Sequence, residues 1–143
     1  MGVRMQQPAL LDNGITSIFE AACREALRHR WIESQKRGCD LGEIAVRDWY
    51  QRYWWIFLRY RHVEHILGEV CWVEFPDRSF AAVRPLLNGE DQLAAEVVDL
   101  YREGLENLDI IHWADRTGHS FDAVFECLLL INMNDARLDP KFN

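Results

Sequence analysis

The stretch from Asp40 to Gly68 constrains the fold more than any other part of the chain, because it is rich in aromatic and arginine residues and carries a helix signal at each end. Asp40 is followed three residues later by Glu43, which is the spacing of a helix-capping pair, and Gly68 is suited to end a helix. This pattern predicts one long helix over about residues 41–67. Apolar residues lie on nearly all of its sides, which is typical of a helix that is buried between neighbours or that forms an interface.

A first helix is predicted over residues 18–37. Ser17 and Glu20 have capping-box spacing at its start, and Gly38 is suited to the left-handed conformation that ends a helix. Residues 1–16 are expected to form an irregular lead-in.

Two further helices are predicted in the second half of the chain. Residues 90–116 carry apolar side chains every three or four positions, which indicates a seam against neighbouring helices. Gly104 lies inside that seam, and we expect it to allow the close approach of another helix. Ser120 is placed to cap a last helix over about residues 121–136.

These elements predict an all-α protein, a single-domain bundle (residues 1–143) of about four main helices that are mostly antiparallel because their connections are short. A short irregular or extended segment is expected near residues 70–76. The pattern leaves open whether residues 70–87 form strand, turn or helix.

Composition narrows the function classes. The N-terminus has no long apolar segment of the kind found in secretory signals, and no apolar run approaches the roughly 20 residues that cross a bilayer, so we expect a cytoplasmic protein without membrane insertion. The net charge of −7 divides into +2 for residues 1–67 and −9 for residues 68–143. Overall acidity argues against nucleic-acid binding, which depends on Lys and Arg neutralising phosphates.

The four cysteines have no CxxC spacing, which argues against a zinc ribbon or a thioredoxin-type motif. Apolar or aromatic residues surround each of them in the sequence, so we expect buried, reduced thiols. They are Cys23, Cys39, Cys71 and Cys127.

Aromatic and arginine residues alternate along the predicted second helix. Trp, Tyr and Arg are the residues that dominate the binding energy of protein interfaces, so this helix is expected to contact a protein partner or a second copy of the chain, giving a homo-oligomer. The alternatives are stacking of bases on the rings and simple packing of the rings in the core. The candidate interface residues are Trp49, Arg52, Trp54, Trp55 and Arg59.

Histidines and carboxylates cluster near the ends of the second and third predicted helices. Pairs spaced i,i+3 lie on one helical face, and helical bundles use such groups to bind metal ions in their cores. The alternative is that these are surface residues near helix C-termini, where histidine suits the helix dipole. The candidate ligands for a transition metal ion are His62, His65, Glu69, His112, Asp115 and His119.

Arg59 and His65 are separated by five residues on the predicted second helix. This spacing resembles the Arg-x4–6-His pair of the HEPN family of small helical nucleases. The resemblance covers these two residues and implies RNA cleavage with Arg59 and His65 as the active pair.

The junction of the first two helices has the form His29-x-Trp31-x-x-Ser34-x-x-x-Gly38-x-Asp40-x-Gly42. It is similar to a helix–glycine–helix segment of several uncharacterised bacterial proteins. The resemblance implies a capped turn and a bacterial origin, and it implies no activity.

The leading functional hypothesis from the sequence is a non-catalytic interaction or accessory subunit of a larger, bacterial assembly. No cofactor is predicted for this function, and enzymatic activity stays open although the sequence leans against it. The first alternative is a metal-binding helical-bundle enzyme or sensor, and the second is a HEPN-like RNase.

Overall fold

The computed structural model describes residues 16–89 and 92–141, and these residues form an all-helical bundle. The all-α class is therefore confirmed, whereas the expected number of about four main helices is only roughly right. The predicted lead-in lies outside the described residues except for Thr16, as does the predicted start of the third helix at Glu90. In chain order the described α-helices, α1 to α6, are Ile18–Arg37, Glu43–Ile66, Arg84–Leu87, Leu93–Glu103, Asn107–Thr117 and Phe121–Ile131.

The start of α1 is held by two side chains. The Ser17 hydroxyl accepts a hydrogen bond from the backbone N–H of Glu20 (3.4 Å) and donates one to the Glu74 carboxylate (2.7 Å). The other Glu74 oxygen accepts from the backbone N–H of Ile18 at 2.7 Å. Backbone N–H groups at a helix start otherwise lack partners, so these bonds fix both the first turn of α1 and the segment that carries Glu74.

The turn between α1 and α2 differs in detail from the prediction, because the N-cap of α2 is Gly42 rather than Asp40. The Asp40 carboxylate instead accepts from the Gly42 N–H (3.0 Å) and forms two hydrogen bonds with the Arg30 guanidinium (2.9 and 2.6 Å). The Ser34 hydroxyl accepts from the N–H of Leu41 at 3.0 Å. The turn is thus fixed by side chains of α1 and by one side chain of the turn itself.

α1 packs against the N-terminal half of α2. Buried alanines on α1 leave room for the large rings of α2, whose centroids lie 5.0 Å apart for Trp49 and Tyr50 and 6.3 Å apart for Trp54 and Phe57. Such ring pairs add to the stability given by burial alone. This aromatic cluster consists of Ile18, Ala21, Ala22, Ala26, Trp49, Tyr50, Trp54, Phe57, Leu58, Trp72 and Phe75.

The C-terminal half of α2 enters a second core with α4, α5 and α6. Among the described helices, α2 is the one that contributes buried residues to both cores. This aliphatic cluster consists of Val63, Ile66, Val83, Leu93, Ala94, Val97, Val98, Tyr101, Ile110, Ala114, Val124, Cys127, Leu128, Ile131 and Met133.

The irregular or extended segment expected near residues 70–76 is an irregular crossover that buries Trp72 and Phe75 and leaves Val73 exposed. Trp72 is fully buried and forms an isolated parallel bridge with Thr16. A 3₁₀ turn, Asp77–Ser79, and the short helix α3 follow. The crossover therefore ties the end of α2 back to the start of α1.

The predicted third helix is in fact two helices. α4 ends at Gly104, which has a φ of 117°, and α5 begins after Glu106. A Cβ atom built on Gly104 would meet nothing within 4 Å, so this glycine allows the chain to turn and does not accommodate a close helix approach as expected.

The last predicted helix is shorter than expected. α6 is capped by Ser120, whose hydroxyl accepts from the Ala123 N–H at 3.5 Å, and it ends at Ile131. A 3₁₀ turn, Met133–Ala136, follows, and the chain then returns to the aromatic cluster.

Candidate functional site

Two of the five candidate interface residues lie in the core. Trp49 and Trp54 are buried, and the Trp54 indole N–H donates to the Leu138 carbonyl at 2.8 Å. Phe19 stacks on the Trp54 ring with a centroid distance of 6.1 Å. These two tryptophans therefore support the surface of α2 from beneath and do not reach a partner themselves.

Four other apolar side chains form the outer surface of α2, and we call them the α2 aromatic face. Their exposed fractions are 39% for Tyr53, 55% for Trp55, 54% for Ile56 and 43% for Tyr60. Only Trp55 is among the predicted interface residues. The sequence showed apolar residues on nearly all sides of this helix, which did not separate the exposed Tyr53, Ile56 and Tyr60 from the buried rings.

A groove beside the α2 aromatic face runs between α1 and α2. It has a volume of about 220 Å³. Its floor is formed by buried rings of the aromatic cluster, and its rim carries one acidic and one basic group. The lining residues are Glu25, Trp49, Tyr53, Ile56, Phe57, Tyr60 and Arg61.

Arg52 is exposed beside this face, whereas Arg59 serves the fold. The Arg52 guanidinium lies 3.6 Å from Asp48 and 6.0 Å from the centroid of the Tyr53 ring. Arg59 is mostly buried, and its guanidinium donates to the carbonyls of Tyr101 (2.8 Å) and Leu105 (2.9 Å). These carbonyls lie at the end of α4, so Arg59 fixes the break between α4 and α5.

His65 is fully buried and holds the crossover segment. Its Nδ1 atom accepts from the backbone N–H of Trp72 (3.2 Å), and its Nε2 atom lies 2.9 Å from the carbonyl of Pro76. Both ring nitrogens are thus engaged by the main chain, which requires a neutral ring that donates from Nε2. Burial lowers the pKa of His65, in agreement with a neutral ring.

His62 is also fully buried, but it has a side-chain partner. Its Nδ1 atom lies 2.6 Å from the Tyr101 hydroxyl, and its Nε2 atom has no hydrogen-bond partner among the described residues. Burial, with smaller contributions from His65 and Arg59, lowers the pKa of His62 to about 3. Burial also raises the pKa of the Tyr101 hydroxyl, so both groups are neutral at pH 7.

The other candidate metal ligands lie apart from the two buried histidines. Glu69, His112 and Asp115 are exposed, and the His119 ring stacks on Trp113 at a centroid distance of 4.9 Å. Across residues 16–89 and 92–141, no three His, Cys, Asp or Glu side chains are placed to hold a metal ion. The structure therefore does not assemble the metal cluster that the spacing indicated.

The Arg59–His65 pair has the spacing of the HEPN family but not an open arrangement. His65 binds main-chain groups through both nitrogens, and the Arg59 guanidinium is occupied by backbone carbonyls and by Glu106 (2.8 Å). Both ring nitrogens of His65 and both terminal nitrogens of Arg59 are thus engaged within the fold, so this geometry gives the nuclease hypothesis no support.

The helix–glycine–helix segment lines a shallow cleft of about 550 Å³ at the end of α1. Gly38 adopts the expected left-handed conformation (φ 73°). The Arg30 hydrogen bonds to Asp40 hold the pKa of this exposed carboxyl near 2, so the pair stays charged over the physiological pH range. The segment thus acts as a structural turn, as its residues predicted.

The thiols are placed differently from the prediction. Cys127 is buried and Cys71 is half-buried, but Cys23 and Cys39 are exposed. Cys23 lines an open groove between α1 and α2, and Cys39 lies in the α1–α2 turn, where neighbouring apolar residues in the sequence do not cover it.

No family model, no curated protein and no solved structure matches this chain. No helix in the described part of the chain combines the length and the apolar character that a bilayer crossing needs.

Proposed function

We propose that this protein is a non-catalytic interaction module that binds a protein partner through the α2 aromatic face. The supporting observation is that four large apolar side chains on one helix stay about half exposed while the rings beneath them are fully packed. Three of them, Tyr53, Ile56 and Tyr60, line one groove together. Contiguous exposed apolar surface marks interaction sites, whereas single exposed apolar residues are ordinary.

The chemistry of this face suits protein binding. Trp and Tyr provide large contact areas with few rotatable bonds, and an arginine at the edge adds hydrogen-bond donors. Trp55 and Tyr60 supply the rings, and Arg52 supplies the charge. In a larger assembly, such a module would act as an accessory subunit.

The rigidity of the supporting helix favours binding further. α2 is 24 residues long and is anchored in two cores, so its outer side chains are held in place before a partner arrives. A preorganised surface loses less conformational entropy on association than a mobile one.

The buried histidines support a non-catalytic role. His62 and His65, whose pKa values are shifted, contact core residues or main-chain carbonyls and amides. Groups with shifted pKa values often mark active sites when they line a cleft. Here they hold the fold together.

The test compares two substitutions on the same helix. Ile56→Asp places a charge in the α2 aromatic face, and Ile44→Asp places one at an even more exposed site, 79%, in the first turn of α2. Light scattering measures self-association, and quantitative affinity capture measures heterologous binding. We expect Ile56→Asp to weaken the complex at least about tenfold, as loss of a hot-spot residue does, and Ile44→Asp to leave it unchanged.

Circular dichroism confirms that both variants stay helical. Equal binding by Ile56→Asp and the wild type would overturn the proposal, as would a wild-type chain that stays monomeric and captures no protein.

A further inference from the structure

A small cavity is formed by α2, the end of α4 and the 3₁₀ turn Met133–Ala136, on the side of α2 that carries Trp55. Its volume is about 160 Å³. Pockets for drug-sized molecules measure about 300–1,000 Å³, so this cavity is too small for a nucleotide or a large cofactor. It suits a ligand with a single ring and one polar group.

Part of the cavity lining is apolar. Trp55 contributes a half-exposed indole ring, and the 3₁₀ turn contributes the buried side chain of Met133 and the methyl group of Ala136. Indole rings and methionine side chains both pack favourably against aromatic rings. This part of the lining therefore favours a ligand with an apolar body.

The polar part of the lining contains two guanidinium groups and one carboxylate. Glu106 lies between the arginines: its Oε1 atom accepts from Nη2 of Arg59 at 2.8 Å, and its Oε2 atom accepts from Nη2 of Arg137 at 3.2 Å. One carboxylate thus serves two cations, so one positive charge is left over among these three groups. Asp135 is not part of the lining, and its carboxylate lies 3.7 Å from the guanidinium of Arg78.

Arg59 keeps a free donor although its side chain is only 17% exposed. Its Nη1 atom donates to the carbonyls of Tyr101 and Leu105, and its Nη2 atom donates to Glu106. Its Nε–H has no hydrogen-bond partner among the described residues. A mostly buried donor without an acceptor is costly, so an oxygen atom of a ligand in the cavity would be stabilised here.

We propose that this cavity is a binding site for a small organic carboxylate, whose charged group bonds Arg59 and Arg137 and whose apolar body packs against Trp55. Guanidinium groups bind carboxylates through short, charge-assisted hydrogen bonds, and Glu106 already makes such bonds in this cavity. A cation is disfavoured, because both oxygens of Glu106, the acidic residue of the lining, are occupied by arginine.

This site goes beyond the proposed function and does not depend on it. Trp55 belongs to the α2 aromatic face as well, but Tyr53, Ile56 and Tyr60 line a different groove. A small ligand and a protein partner are therefore assigned to separate surfaces that meet at one ring.

Sodium benzoate is the probe, and benzamide and inorganic phosphate are its matched controls. The indole N–H resonance of Trp55, identified by its absence in Trp55→Phe, reports binding by NMR at constant ionic strength. We expect benzoate to shift it saturably with a dissociation constant of about 1 mM. Benzamide lacks the charge and phosphate lacks the apolar body, so both should bind at least about tenfold more weakly.

Three outcomes of this titration would overturn the proposal. Benzamide binding as well as benzoate would show that no carboxylate is required, and phosphate binding as well as benzoate would show that the apolar lining is not used. A benzoate shift that does not saturate by about 20 mM would show that no specific site exists.

Two variants and one control locate the carboxylate. Arg137→Gln removes one of the two cations and should weaken benzoate binding at least about fivefold. Glu106→Gln removes the competing carboxylate and should strengthen it at least about threefold. Arg102→Gln removes an arginine of α4 that pairs with Asp99 (3.2 Å) outside the cavity, and should leave the affinity unchanged. Once circular dichroism has confirmed the fold, an unchanged affinity in Arg137→Gln or in Glu106→Gln would refute the assignment.

Ile56→Asp separates this site from the proposed function. This variant is expected to lose protein binding but to bind benzoate like the wild type, since Ile56 does not line the cavity. If the variant binds protein normally and benzoate normally, the proposed function fails and the carboxylate site stands. Loss of benzoate binding in folded Ile56→Asp would overturn the separate site.

Discussion

At the scale of single residues, His62 is the position where burial and ionisation conflict most strongly. The ring is fully buried, and its surroundings include Tyr101, His65 and Arg59. None of these groups stabilises a positive charge on the ring, because the first two are neutral and the third is a cation. The folded protein therefore keeps His62 neutral, with a pKa of about 3 against an ordinary value of 6.5.

The lowered pKa of His62 predicts that acid destabilises the folded protein. Below pH 6.5 and down to about pH 3, the unfolded chain binds a proton at His62 that the folded chain does not, so the free energy of unfolding falls as the pH falls. One such proton corresponds to a slope of about 1.4 kcal/mol per pH unit well below pH 6.5. Urea unfolding between about pH 7 and pH 5, where carboxylates titrate little, measures this slope.

Two variants isolate the contribution of His62. In His62→Gln the amide is able to bond the Tyr101 hydroxyl, so the fold is kept. The slope of the free energy of unfolding against pH should decrease by the contribution of one proton, about 1.4 kcal/mol per pH unit well below pH 6.5. His112→Gln, which removes a histidine that is exposed in the folded chain, serves as the control. Identical slopes in His62→Gln and the wild type would contradict this prediction.

Two adjacent tryptophans show how far residue positions are predictable. Helical spacing correctly indicated that this part of α2 is apolar on most sides, but it did not separate the fully buried Trp54 from the exposed Trp55. The distinction comes from residues far away in sequence, since Leu138 and Phe19 cover Trp54. A helix that is apolar all round carries no local signal that says which side faces the core.

At the scale of whole elements, the close approach of the end of α2 and the start of α3 depends on one glycine. Gly68 has a φ of 79°, and a Cβ atom there would lie 2.8 Å from the Cβ of Ala81, which itself has a φ of 59°. A side chain at position 68 therefore meets both a strained backbone conformation and a steric clash with a neighbour that has little freedom to move.

Substitution of this glycine is expected to be costly. Gly118 has nearly the same φ, 77°, but open space around its Cβ position, so Gly118→Ala measures the backbone strain alone. We expect Gly118→Ala to cost about 1–2 kcal/mol and Gly68→Ala to cost at least about 1 kcal/mol more. Chemical denaturation of the two variants makes the comparison, and equal losses would show that Ala81 moves aside without cost.

Helix ends were more predictable than helix breaks. Ser17, Gly38 and Ser120 all act where the sequence placed them, because helix capping depends on residues close together in the sequence. The break after α4 was missed because apolar spacing continues through it, while the break itself is stabilised by Arg59 from another helix. The same contact explains why Arg59, a predicted interface residue, is mostly buried and does not lie at the surface of α2.

At the scale of the whole molecule, two cores share one helix. α1 belongs to the aromatic cluster, α4 to α6 belong to the aliphatic cluster, and α2 joins them. When two cores pack separately, the regions around them often unfold locally with different free energies.

Hydrogen exchange with mild core substitutions tests this division. Trp54→Phe weakens the aromatic cluster and removes the bond to Leu138, and Ile110→Val removes a buried methyl group from the aliphatic cluster at a cost of about 1 kcal/mol. We expect Trp54→Phe to speed exchange mainly in α1, and Ile110→Val to speed it mainly in α5 and α6. Uniform acceleration in both variants would indicate a single cooperative unit instead.

The fold class and the distribution of charge along the chain were the molecular properties that the sequence predicted best. Apolar spacing and short connections led to the all-α bundle, and the counts of charged residues led to a basic and an acidic half. The exposed apolar side of α6, with Phe121, Phe125 and Leu129, was not predicted, because the apolar run at 127–131 does not show which side of the helix is covered. Cys127, Leu128 and Ile131 of this run are buried, whereas Leu129 and Leu130 are exposed, because only one side of the helix is covered.

The hydrogen bond between Trp54 and Leu138 bears on how the chain is made. The two residues are 84 positions apart, so the acceptor for the indole N–H is synthesised long after α1 and α2. A nascent chain that already contains both helices still lacks the C-terminal segment that covers Trp54. That side of the aromatic cluster thus stays open to solvent, and available to chaperones or to misassembly, until residues 136–138 have left the ribosome.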